Sequence, residues 1–136
     1  MYRITDRQFK IYINECKRWV NFFGLLDWEC FYECEPDHGT RASLNADPEA
    51  GICTFCLNSE WDGRPTKYLL QKTAFHEVME LFLMRMRHLT YLRFSTALEI
   101  DIENHRIIRT LENVIFNPQY KGKETGEQKG IVEGEF

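Results

Sequence analysis

His76-Glu77-x-x-Glu80 combines residue types and spacing suited to metal chemistry. On a helix, residues four apart share a face. His76 and Glu80 would therefore offer an imidazole nitrogen and a carboxylate to one point, with Glu77 beside them. The pattern is one residue from H-E-x-x-H, in which two histidines hold zinc and the glutamate is the general base. At about 100° per residue, Phe75, Val78, Met79, Leu81, Phe82 and Leu83 cover most of the helix circumference. His76, Glu77 and Glu80 then form one polar seam of roughly 100°. Polar groups set into an apolar helix cost free energy unless something satisfies them, and a bound cation would do so.

A catalytic zinc site keeps three protein ligands and one open position. The downstream candidate for the third ligand is His105, on a second helix predicted from about Ser95 to Phe116. Ile100, Ile107, Leu111 and Val114 would form one face of that helix. Leu98, Ile102, His105 and Ile108 would form the neighbouring row. Two helices joined by a short connection pack antiparallel, which can bring the middle of the second against the seam. His76, Glu80 and His105 are then the predicted metal ligands. Glu77 is the predicted base, taking a proton from metal-activated water and returning it to a leaving amine. The competing readings are a solvated helix face at the seam and an ordinary hydrogen-bonded interface histidine at 105. His38 reads as a turn residue. His88, pointing away from the seam by helical geometry, reads as a surface one. Glu99, Asp101, Glu103 and Glu112 read as solvated, with Glu103 and Glu112 weak candidates for orienting His105 or His76.

Other elements must position these groups. Thr5-Asp6-Arg7-Gln8 has the form of a capping box. Behind it Phe9, Tyr12, Ile13, Cys16, Trp19, Val20 and Phe23 make a helical stripe, and Gly24 stands where a helix-ending glycine would. From Asp27 to Glu35, Trp28, Cys30, Tyr32 and Cys34 alternate with Glu29, Phe31 and Glu33, a strand with one wetter face. Turn residues at 35–39 and 47–51 separate this from strands at Thr40–Ala46 and Ile52–Asn58. Three closely connected strands predict an antiparallel meander. Ser59–Pro65 reads as a loop, and the motif helix as running from Thr66 or Lys67 to about His88. A break is expected at about Leu89–Phe94, and Asn117-Pro118 should stop the last helix. The expected class is α+β: an N-terminal helix, a three- to four-stranded, mostly antiparallel sheet, and two long helices. Residues 1–117 form one domain, and 118–136 a flexible polar tail.

Composition narrows the function. The chain has 136 residues, enough for one core, with 43% hydrophobic and 14% aromatic content. A net charge of -4 gives no sign of nucleic-acid binding. No apolar run is long enough for a membrane span, and Met1–Gln8 lacks a signal-peptide stretch, so a cytoplasmic location is expected. Five cysteines are an odd number, read as free thiols. A four-thiolate zinc site from Cys30, Cys34, Cys53 and Cys56 is the alternative. Strand alternation opposes it, because Cys53 and Cys56 would point to opposite faces.

The order of helix, strands, HExx-type helix and a helix reading Glu103-Asn104-His105-Arg106-Ile107-Ile108-Arg109-Thr110-Leu111-Glu112 resembles the small zincin-like metallopeptidases. These are minimal relatives of the SprT-like proteins and are frequent in bacteriophage genomes. Trp28 in the first strand adds to the likeness, which spans about residues 5 to 116. The resemblance implies zinc held by His76 and His105, Glu77 as base, and a peptide or protein substrate. If the chain is phage-encoded, it implies work in the host cytoplasm. The family's second motif histidine is Glu80 here. A carboxylate can bind zinc, but its charge lowers the metal's Lewis acidity and shifts preference toward harder ions such as manganese. The alternative is a degenerate zincin-fold module that binds or inhibits a partner, for a phage protein a host factor.

Overall fold

Residues 1–119 are described by a computed structural model. The first helix, α1, spans Asp6–Phe22. Its start is set by the predicted capping box. The Gln8 amide donates to Thr5 Oγ1 at 3.2 Å, and the Thr5 amide donates to Gln8 Oε1 at 2.9 Å. Gly24, at φ 65°, takes the left-handed conformation that turns the chain out of the helix. Tyr12, Cys16 and Phe23 are buried along one face, as the stripe requires.

The sheet holds β2 (Glu29–Glu35), β3 (Ala42–Asp47) and β4 (Ile52–Asn58), in the order β2-β4-β3. β4 runs parallel to β2 and antiparallel to β3, so the expected meander does not form. The reason is burial. β4 carries no charge and buries Cys53, Phe55 and Leu57, which suits a central strand. The polar outward residues of β2 and β3 suit edges. The segment at 36–41 is long enough to carry the chain roughly 10 Å, across two strand spacings. A second device sets the parallel register: Gly51 O accepts from the Glu29 amide at 2.7 Å. Gly51 has φ 69°, and a Cβ there would lie 3.1 Å from Asp27 O. Two short strands that the sequence reading left out, β1 (Tyr2–Arg3) and β5 (Glu60–Trp61), pair antiparallel. Antiparallel pairings thus remain the majority, and the class is α+β.

The helix carrying the seam, α2, spans Lys67–Phe82, capped by Thr66. It packs on α1 through edge-on Trp19–Phe75 and stacked Phe23–Phe82 ring contacts. Leu70, Ala74, Val78, Leu81 and Phe82 are buried. α2 ends at Leu83, earlier than predicted, and a separate helix α3 follows at Met84–Tyr91. The last helix, α4 (Ala97–Leu111), opens with a Thr96/Glu99 capping box. A π-type widening at Glu112–Phe116 and a helical turn at Asn117–Gln119 continue it. Asn117-Pro118 therefore does not stop the chain's helical path; Pro118 falls where the widening has already interrupted the usual hydrogen-bond ladder. Among the described residues no helix is long and apolar enough to cross a membrane. The predicted tail lies, from residue 120 onward, outside the described residues.

Candidate metal centre

The seam on α2 brings His76, Glu77 and Glu80 together, with one potential ligand atom from each lying within 4.8 Å of the others. His76 Nε2 is 4.0 Å from Glu80 Oε1. The three differ sharply in exposure. The His76 side chain is 72% exposed, whereas Glu77 is 4% exposed. Glu77 follows Ala74 by three positions and precedes Leu81 by four, so it shares their inward face. His76 and Glu80 lie on the shoulder of the helix, open to solvent.

Burial is what makes Glu77 chemically distinct. Its Oε2 has no hydrogen-bond partner. Removal from water, and then the adjacent Glu80 carboxyl, push its pKa from 4.5 up to about 8. The carboxyl is therefore held largely protonated at neutral pH. Tyr12, from α1, lies close enough to feel it. The phenol's ionisation is pushed up by burial first, then by Cys16 and Glu77, and its hydroxyl is also buried without a partner. Exposed acidic clusters are common without any ion; a buried carboxyl with one oxygen unpaired, clustered with an imidazole and a second carboxyl, is not a solvated face.

His105 stands apart from this cluster. It is exposed, and its Nδ1 lies 2.8 Å from Asp101 O of its own helix. The predicted antiparallel packing failed because the break at Leu83 inserts α3, and α4 packs against α3. α4 and its continuation turn Ile107, Leu111 and Val114 toward the core. The neighbouring row of Leu98, Ile102 and Ile108, where His105 sits, faces outward. Ile100, expected on the inner face, is exposed as well. Glu103, read as solvated, is instead buried and ion-paired with Arg106. Its place four residues before Ile107 was the available signal: the inner stripe runs 103, 107, 111, 114.

The thiols do not assemble a four-cysteine site. Cys53 and Cys56 point to opposite faces, as alternation requires: Cys53 is buried, while Cys56 Sγ lies near Glu33 and Asn45. His38 is exposed in its turn. His88 Nε2 is 3.8 Å from Glu49 Oε1, away from the seam.

The donor set fits a divalent ion. Ligand atoms at about 2.1 Å from one ion lie no more than roughly 4.2 Å apart, and His76 Nε2 and Glu80 Oε1, at 4.0 Å, already meet this. With Glu77 kept as the base, the nitrogen of His76 and the carboxylate of Glu80 are two of the three protein ligands a catalytic zinc site keeps, a pair that suits zinc and also harder ions such as manganese. Compared with protein-family models, curated proteins and solved structures, the chain gives no significant match to any of them.

Proposed function

We propose that the chain is a divalent-metal-dependent hydrolase of the metallopeptidase type, in which His76 and Glu80 hold zinc or manganese and Glu77 is the base. The observation that carries this reading is the buried carboxyl of Glu77, one of its oxygens unpartnered, in a cluster with His76 and Glu80. When bound, the ion would polarise the scissile carbonyl and acidify the attacking water. Glu77 would do the proton work. In the ion-free chain its pKa is raised to about 8, so it starts largely protonated at neutral pH; a bound cation would favour the carboxylate and so free it to act as the base. The exposure of His76 leaves room for a polymeric substrate.

The sheet edge supports a peptide substrate. β3 is paired on one side only within its sheet, and α2 packs against it. An extended peptide can add to such an edge through main-chain hydrogen bonds. A hollow lined by Leu44, Asn45, Ala46, Asp47, Ile52 and Met84 lies along β3 and offers a peptide both apolar and polar contacts. This reading keeps the zincin-like resemblance and a cytoplasmic place of action, the host's for a phage-encoded chain. His105 enters the metal site only if α4 moves. A second reading, a binding module on a degenerate scaffold, is favoured by the exposed row Leu98, Ile102, Ile108 and Ile115 on α4 and its continuation.

The test is metal content by mass spectrometry on protein purified without chelator, beside His76→Ala, Glu80→Ala and His105→Ala variants. The proposal expects about one ion per chain, lost in the first two variants and kept in the third. Glu77→Gln should keep metal and lose peptide turnover. No metal after zinc or manganese is added back would overturn the enzyme and leave the binding module.

A further inference from the structure

Cys30 on β2 and Cys53 on β4 stand opposite each other, in register, on neighbouring parallel strands. Both face the core side of the sheet. Their sulfurs are 3.5 Å apart, with the Cys53 thiol donating to Cys30 Sγ. Neighbouring strands lie about 4.8 Å apart, inside the span of about 4.4–6.8 Å between the Cα atoms of a disulfide. We infer that Cys30 and Cys53 form an oxidisable dithiol, a modification site that takes a hydroperoxide and closes to a reversible cross-strand disulfide.

The two thiols are unequal, and the inequality orders the chemistry. Cys30 is half-buried on an edge strand, within reach of a small oxidant. Cys53 is 1% exposed on the central strand. The hydrogen bond from Cys53 favours the Cys30 thiolate and lowers its pKa, against the opposing effect of burial. Cys53 is held as the thiol, its pKa raised by that same hydrogen bond and by burial. Cys30 is therefore the first nucleophile. Its sulfur attacks one peroxide oxygen, the O–O bond breaks, and an alcohol or water leaves, giving a sulfenic acid on Cys30. The Cys53 sulfur then attacks the sulfenic sulfur. The S–S bond forms, the S–OH bond breaks, and the hydroxyl leaves as water with the Cys53 proton. Two thiols have lost two electrons, and the hydroperoxide has accepted them. A dithiol reductant reverses the bond by exchange.

No other thiol in the sheet has this geometry. Cys34 is in register with Leu57, and Cys56 with Glu33 and Ser43. Cys16, on α1, is fully buried, and burial pushes its thiol pKa up.

The experiment exposes the reduced, full-length protein to hydrogen peroxide, followed by thiol counting, intact mass and peptide mapping. The expected result is loss of two of the five thiols, a mass lower by two hydrogens, one peptide pair linking Cys30 to Cys53, and full reversal by dithiothreitol. In Cys53→Ala, Cys30 should stop at the sulfenic acid and be captured by a 1,3-diketone probe. Cys30→Ala should show neither link nor capture. A link through any other cysteine would overturn the assignment. So would Cys30 passing to the sulfinic acid in the unaltered chain without forming the link. The mapping of the unaltered protein decides the question whether or not the variants fold.

Discussion

Replacing Glu77 by Gln keeps the side chain's shape, removes its charge, and should change how stability depends on pH. In the folded chain, burial and the neighbouring Glu80 push the Glu77 pKa from 4.5 to about 8. A folded-state value above the unfolded one means that the native state holds the proton more tightly. Stability is then fullest below the unfolded value, falls as pH rises through the window up to about 8, and levels off above it. Within the window the slope is about 1.4 kcal/mol per pH unit. Across the whole shift this amounts to at most about 5 kcal/mol, less the part that comes from Glu80, which water screens at 43% exposure. At 4% exposure, solvent does little to screen the carboxyl. Against native stabilities of about 5–15 kcal/mol, this is a large fraction. Urea unfolding of both proteins from about pH 5 to about pH 9, with chelator present, reads the effect directly. The variant should match the parent at the acid end and be more stable by several kcal/mol at the alkaline end. A difference that stays constant across the range would refute the reasoning, because Glu77 would then be ionised, and satisfied, inside the fold.

Asn58 ties the end of β4 to the loop after β2: its Oδ1 accepts from the Asp37 and Glu60 amides, and its Nδ2 donates to Asp37 O and Thr40 O. Asn58→Ala removes all four of these part-buried bonds, and thermal unfolding should show a loss of about 1–3 kcal/mol. Thr5→Ala removes the cap of α1 and should cost about 1 kcal/mol in the same measurement. On α4, Ile107→Glu puts a charge against the core and should reduce stability by more than about 3 kcal/mol. Ile102→Glu, on the exposed row, should stay within about 0.5 kcal/mol of the parent. Equal effects at these two positions would contradict the outward orientation of His105.

Much of the candidate site was legible in the sequence because helical spacing decides which residues share a face. Thr5 with Gln8 marked the start of α1, and the spacing of His76, Glu77 and Glu80 gathered them into one cluster before any packing was known. Alternation likewise separated Cys53 from Cys56. Spacing is silent on which face gets covered. α4 carries two apolar rows, and both have helical periodicity. Only the docking of α4 on α3 turned Ile107, Leu111 and Val114 inward with Glu103, and left His105 in solvent. The same holds in the sheet, where local pattern identifies strands but not neighbours. β4 lies between β2 and β3 because it has the least charge to keep wet, and that placement brings Cys30 beside Cys53. The burial of Glu77, on which its raised pKa and its unpaired oxygen depend, comes from α2 packing against α1 and β3. The chain's own spacing determined which groups could act together; the removal of water around them, which sets their chemistry, was decided by tertiary packing.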